Sequence, residues 1–296
     1  MADFIDTLKQ KYTTGNVITR LLFINTLVYI ILKMIVVLFT LFNLHLIDPI
    51  TLLGVPSHVP ILASRIWTLV TYMFVHERFL HLLFNMLWLY WFGQIFLQYF
   101  TGRTLGSLYL LGGLAGALLY VLSFNTIPYY TGMERSWMIG ASAAVMAIVM
   151  GTAFYRPEVQ INLLFLGPIK IVYIAIFAFL IDFLSLGSPA NPGGHVAHIG
   201  GALLGYFFAT QHDKKGKDIT NWMSRLLDLL AGLFKPRRNQ TKMKVEHSRG
   251  ESDWAYNKRK HEEQEVIDAI LDKLKQSGYG SLSSEEKKRL FDASKK

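Results

Sequence analysis

Cysteine is absent from all 296 residues. That one absence excludes disulfide staples, zinc–thiolate sites, iron–sulfur clusters and thiol nucleophiles. Charge is scarce over most of the chain as well. Residues 1–212 carry 10 Lys+Arg and 7 Asp+Glu, whereas residues 213–296 carry 20 and 14. The overall 17% of charged residues therefore conceals two materials, a nearly charge-free block and a highly charged tail. A mean hydropathy of +0.30 is high for a chain that must live in water. The net charge of +9 does not call for nucleic acid. Cations flanking apolar segments are what the anionic inner face of a bilayer selects.

A membrane-crossing helix needs about 20 mostly apolar residues. Segments 78–100, 104–124, 137–155, 168–186 and 194–211 qualify. The first apolar stretch, Asn16 to Ile47, is too long for one span and is interrupted by Lys33. A lysine at mid-bilayer costs a few kcal/mol on insertion scales. The first span is accordingly expected to end near Lys33, with its ammonium snorkelling outward. Residues 34–62 then form an external loop in the interface, closed by Asp48-Pro49 and Val59-Pro60. One tilted helix with Lys33 turned to the bundle is the other reading.

The fold class expected is an all-α polytopic membrane protein with six transmembrane helices over residues 1–212. A membrane-surface segment (213–238) and a charged helical tail (239–296) follow. Six spans put both termini on one side. Lys9, Lys11, Arg20, Arg103, Arg156 and the basic tail then share a face, expected to be cytoplasmic, while the opposite loops carry only Arg65, Arg78 and Arg135. No cleavable signal peptide is expected, since the first apolar segment is too long and lacks a small-residue cleavage site. Ile219, Trp222, Met223, Leu226, Leu230, Leu233 and Phe234 form a helical stripe suited to the inner surface, followed by the basic KPRRNQTKMK. Residues 239–253 read as a linker. Val266, Ile267, Ile270, Leu271 and Leu274 mark a helix ending near Gly278, and Ser283 with Glu286 resembles a capping box. No core of its own is expected for this tail.

Polar side chains within the apolar spans are functional candidates by default. His81 and Asn85 sit four residues apart in the second span, about 40° apart and ~6 Å along a helix, so they face one way. Polar glue between helices would explain that pair equally well. Ser142 opens the fourth span among small residues, which alone indicates close packing. In the sixth span His198 precedes Gly201 and Gly205, and a buried imidazole must be hydrogen-bonded. Depth decides. Measured from Arg78, Trp137 and Gly194, the outer starts of these spans, His81, Ser142 and His198 lie roughly 4–8 Å down and Asn85 ~10 Å down.

Four polar groups from three helices thus share one level, and their chemistry is acyl transfer. Ser142 is the candidate nucleophile and His198 the base that takes its proton. Asn85, His81 and a backbone N–H at Ser142 are candidate donors to the oxyanion. Asp182 is the single acid in the later spans, read as a structural hydrogen-bonder near the outer end of the fifth, with no carboxylate completing a triad. His195, about 4.5 Å shallower than His198, is expected to be solvated, and His76 to precede the second span.

HLLFN (His81 to Asn85), GASA (Gly140 to Ala143) and HIGGALLG (His198 to Gly205) together resemble three motifs of the rhomboid family of intramembrane serine proteases, H-x-x-x-N, G-x-S-x and H-x-x-G-x-x-x-G, in order on spans two, four and six. The resemblance covers roughly residues 17–212 and is to the bacterial, six-span type. It implies a serine–histidine dyad without an acid, an outward-opening wet cavity, single-span membrane proteins as substrates, the lipid bilayer as surroundings and an inner-membrane location. Three positions depart from it. The usual Trp-Arg of the first external loop is here Trp67-Thr68, with Arg65 two residues earlier, which touches a structural hydrogen-bond network. Ala143 replaces a commoner glycine and adds a methyl beside the oxyanion site. Met146 stands where an aromatic often stacks on the histidine, and its thioether can pack there instead.

Rival chemistries fit less well. HERFLH places His76 and His81 five residues apart, about 140° round a helix, so it is not a zinc-binding H-E-x-x-H. An aspartyl protease would need two membrane aspartates. An inactive rhomboid-like protein that binds and routes membrane clients is the main alternative, marked by loss of the serine or the last histidine, and both are present. A transporter is more distant, since no internal repeat is evident. No cofactor, metal or nucleic acid is expected, and the tail is expected to meet an unidentified cytoplasmic partner.

Overall fold

The computed structural model describes residues 2–44, 48–133, 135–163, 167–234 and 253–293. The chain divides into two compact units, 1–235 and 236–296. KPRRNQTKMK and nearly all of the expected 239–253 linker lie outside the described residues.

In the first unit α1 (Ala2–Thr14) and α2 (Val17–Leu41) lead into a loop layer of α3 (Pro49–Leu53), β1 (Val55–Pro56), α4 (Val59–Ser64), α5 (Thr68–Thr71) and a 3-10 turn, Tyr72–Phe74. Helices α6 (Phe79–Phe96), α7 (Gly102–Thr126), α8 (Pro128–Thr131), α9 (Ser142–Tyr155), α10 (Ile171–Leu184), α11 (Pro192–Lys215) and α12 (Asn221–Phe234) follow. Strand β2 (Trp137–Met138) pairs antiparallel with β1, and β3 (Gln160–Leu163) pairs with β4 (Gly167–Lys170). Among the described residues three helices, α2, α6 and α7, are long and apolar enough to cross a membrane, and α9 and α10 are apolar but shorter.

Three expectations need correction. Helix α2 does not stop at Lys33 but continues to Leu41. Lys33 is half-buried, with its Nζ over the Tyr29 ring at 5.9 Å, so the ring face one turn earlier lowers the cost of the charge. The loop therefore begins after Leu41, not at residue 34. Second, residues 137–141 are not helical. Trp137 and Met138 belong to a strand, Gly140 takes φ +119°, and the helix begins at Ser142 itself. The β3–β4 hairpin likewise replaces the beginning of the span expected from residue 168.

Helix α9 lies at the centre. Every residue from Ala143 to Ala153 is buried. It packs chiefly against α11 and α7, whose glycines permit close approach. A Cβ at Gly201 would strike the Ala143 carbonyl, one at Gly205 the Ala147 carbonyl, and one at Gly112 the Ala147 side chain. Small residues on facing surfaces let the backbones touch, which is how helices associate where water cannot drive them together.

The loop layer is tied down by side chains. Arg65 Nη1 donates to the Thr51 carbonyl (2.6 Å), Trp67 Nε1 to that of Leu52 (3.1 Å) and Thr71 Oγ1 to that of Leu53 (2.8 Å). Three consecutive carbonyls of α3 are thus satisfied by donors 14 to 18 residues away. The network survives the departure at Trp67-Thr68 because Arg65 reaches it from the other side.

Helix α12 docks on α7 through a Ser107 Oγ···Ser224 Oγ hydrogen bond of 2.7 Å and an Arg103–Asp228 ion pair of 3.3 Å. Of the expected stripe Met223 is buried, whereas Trp222, Leu226 and Leu230 remain exposed. The expected stripe therefore splits between a packed side and a bare one.

The second unit contains α13 (Asp253–Ser277), a 3-10 turn (Tyr279–Ser281) and α14 (Ser284–Ala293). Gly278, at φ +75° and ψ 168°, ends α13 in a positive-φ conformation that is almost exclusive to glycine. Ser283 N–H donates to Glu286 Oε2 (2.6 Å) and Glu286 N–H to Ser283 Oγ (3.2 Å), which forms the expected capping box. Lys273 Nζ donates to the same carboxylate (2.9 Å) and joins the two helices. Ile270 and Leu282 are its buried apolar residues among those described.

Candidate active site

The nucleophile candidate is set by the turn before α9. Gly140 N–H donates to the Tyr72 carbonyl (2.9 Å), and Ala141 N–H donates to His76 Nε2 (3.4 Å). At φ +119° only glycine sits without strain, and a Cβ there would also meet His81 Cε1 at 2.7 Å. The same point over Gly140 is 3.0 Å from His81 Nε2 and 3.7 Å from Ser142 Oγ, so those two groups flank one small space. No side chain caps α9. The N–H groups of Ser142, Ala143 and Ala144 therefore have no acceptor within the helix and lie at the positive end of its dipole.

A cavity of about 330 Å³ opens beside this turn. Ser142, His198, His81, Asn85, Met146 and Asp182 all line it, together with apolar residues including Phe84, Trp88, Val145 and Ile181. Asn85 Nδ2 donates to the His81 carbonyl (2.8 Å), which uses one of its two N–H groups. Met146 is buried and lines the cavity as the aromatic would. Ala143 faces α7, where its Cβ is what a side chain at Gly116 would meet.

The expected absence of an acid near the base is wrong. Asp182 Oδ1 lies 2.8 Å from His198 Nδ1 and 2.9 Å from His195 Nδ1. Sixteen residues of sequence and a turn between two helices separate Asp182 from His198, so no single-helix periodicity displays the pair. His195 is not freely solvated either, with its side chain only 18% exposed. One ligand atom each of Asp182, His195 and His198 lies within 4.8 Å of the others, close enough for a divalent ion, although Asp182 Oδ1 and both Nδ1 atoms are already engaged with one another.

His76 is the residue that sequence reasoning underrated. It does precede α6, yet it is 3% exposed and its ring contacts His81 edge-on, with centroids 5.2 Å apart. Burial, and then the neighbouring His81, push its pKa down to about 4. A neutral imidazole has the lone pair that the Ala141 N–H needs. Its signal in the sequence is a histidine five residues before the H-x-x-x-N motif.

A bundle of apolar helices around a cavity that holds a few convergent polar groups is the architecture of an integral membrane protein, and comparison with known proteins names the family. The model of the Rhomboid domain matches residues 63–212, and the chain belongs to the rhomboid family. A family of unknown function matches residues 252–296. The chain is 32% identical over 151 residues to RHOMBOID-like protein 12, mitochondrial, of Arabidopsis thaliana, covering 48% of this chain and 45% of that protein. It is 28% identical over 163 residues to Rhomboid-like protease 3 of Toxoplasma gondii (53% and 56%). It is 27% identical over 159 residues to Rhomboid protease GlpG of Haemophilus influenzae (52% and 74%). The chain thus spans about half the length of the first two relatives.

Proposed function

We propose that this protein is a serine endopeptidase that cleaves single-span membrane proteins in or near their membrane segments. The observation that carries the reading is one cavity lined by Ser142, His198, His81 and Asn85 from three helices. Ser142 Oγ attacks the scissile carbonyl and His198 Nε2 takes its proton, then delivers it to the leaving amine. First-turn N–H groups of α9, the free N–H of Asn85 and His81 receive the oxyanion. Water entering the cavity then hydrolyses the acyl-enzyme with the same base.

In this reading α2, α6, α7, α9, α10 and α11 cross a bacterial inner membrane. Both termini and the tail face the cytoplasm, and the cavity opens to the outer face. The bias of Lys9, Lys11, Arg20, Arg103 and Arg156 toward one side supports that orientation. Labelling by a fluorophosphonate probe tests the function. Wild type is expected to label and to cleave a single-span substrate, and Ser142→Ala and His198→Ala to lose turnover while remaining folded. A folded wild type that neither labels nor cleaves would leave a client-binding protein as the better reading.

A further inference from the structure

The catalytic reading uses Ser142 and His198 and leaves Asp182 and His195 without a task. Asp182 is buried near the end of α10, and its side chain is 10% exposed. An anionic carboxylate is rarely placed so deep without partners that hold it. Its two partners are both imidazole Nδ1 atoms on the first turns of α11, and they meet at one oxygen, Oδ1. The partners differ in one respect: His198 lines the cavity with Ser142, whereas His195 does not.

We propose that Asp182 is a positioning residue for the general base, giving a Ser142–His198–Asp182 relay, and that His195 holds the Asp182 carboxylate in place. The inference rests on the reading of Ser142 and His198 as nucleophile and base. Because His198 Nδ1 faces a carboxylate, the ring proton resides on Nδ1, and the Nε2 lone pair is left to face the cavity. When Ser142 Oγ bonds to the carbonyl carbon, its proton passes to Nε2. The resulting imidazolium is stabilised by Asp182, which stays ionised. The C–N bond then breaks and the Nε2 proton leaves with the amine. Among the described residues, Asp182 alone hydrogen-bonds the His198 ring and so fixes its tautomer. The charged or titratable groups around His198 are Asp182 from α10, His81 from α6 and His195 from its own helix.

Two measurements on the full chain decide the matter. In Asp182→Asn, kcat should fall at least tenfold while KM stays within about twofold, and the rate of fluorophosphonate labelling should fall in parallel. His195→Ala should cost less than Asp182→Asn, and the Asp182→Asn loss should persist in the His195→Ala background. The ¹⁵N shifts of the His198 ring at neutral pH should report Nδ1–H with an unprotonated Nε2, in wild type and in Ser142→Ala alike. That arm stands even if no variant of Asp182 folds.

A wild type that neither labels nor cleaves but shows this tautomer would sink the protease reading and leave the Asp182–His198 pairing intact. An Nε2–H tautomer in wild type overturns the proposal. So does unchanged kcat in a folded Asp182→Asn, or a loss that vanishes once His195 is gone. Loss of wild-type turnover on chelation would replace the hydrogen-bonded trio with a metal site, and would overturn it too.

Discussion

Helix α9 and the α13–α14 hairpin are both helical, yet they are held by opposite means. In α9 eleven consecutive residues, Ala143 to Ala153, are buried, and the order comes from backbone meeting backbone over alanine and glycine. In the hairpin the order comes from a capping box, a positive-φ glycine and one lysine–glutamate pair, with Ile270 and Leu282 the buried apolar side chains among the described residues. Close packing fixes positions to fractions of an ångström, which an active site needs. Exposed charge pairs fix little, since each exchanges water for a partner at small net gain.

The sharpest break of that comparison is Gly201→Val. Its side chain would meet the Ala143 carbonyl, one residue from the nucleophile. Overpacking costs about 1–3 kcal/mol even where side chains can yield, and a backbone carbonyl yields less. Loss of turnover below detection is expected, together with a lowered melting temperature. A folded, active Gly201→Val would show that α9 and α11 do not need their present spacing. Asn85→Ala comes next. One oxyanion donor is worth on the order of 10²–10³ in rate in other enzymes, and the other donors here make a loss near the lower end the expectation, with KM little changed. An unchanged kcat would return Asn85 to interhelical glue.

Arg65→Ala tests the loop layer, which lies between these extremes. Its guanidinium serves one carbonyl of α3, so a loss of about 1–3 kcal/mol is expected in thermal unfolding, with modest effect on kcat. Stability equal to wild type would reduce the Arg65–Trp67–Thr71 network to a surface coincidence. Truncation after Pro236 should leave cleavage of a model substrate near the full-length rate. A stable, monodisperse but inactive truncation would couple the tail to catalysis. Smallest is the effect of acid on the hairpin. The Ser283 N–H and then Lys273 hold the Glu286 carboxyl below its ordinary pKa. That contribution is present above the ordinary glutamate value and fades as pH falls through the lowered one. Protection of the Ser283 and Glu286 amides, taken relative to their intrinsic exchange rate at each pH, should fall as pH drops through that window in wild type, and stay constant with pH in Glu286→Gln.

Much of this was legible before any coordinates. Apolar length located the helices, and offsets along them brought His81, Asn85, Ser142 and His198 to one cavity. Sequence rules failed where two elements jointly decide. Lys33 looked like a stop because a lone charge is costly, but Tyr29 offers it a ring. Asp182 looked merely structural because its partners stand on the next helix. His195 looked exposed because depth was counted along one axis, without the neighbour that covers it. The non-helical turn at 137–141 was hidden because a two-residue strand has no period to detect.

The near-continuous burial of α9 bears on how such a site can vary. A helix buried over eleven consecutive residues has little room for inheritable variation, because most substitutions must be answered by its neighbours, chiefly on α7 and α11. The cavity wall offered by α6 and α10 is different. Phe84 and Ile181 line the cavity and are also widely exposed, so their shape can change without disturbing the nucleophile. On the protease reading, new preferences for the sequence being cut can therefore accumulate on those two helices, while the proposed reacting centre is inherited unchanged.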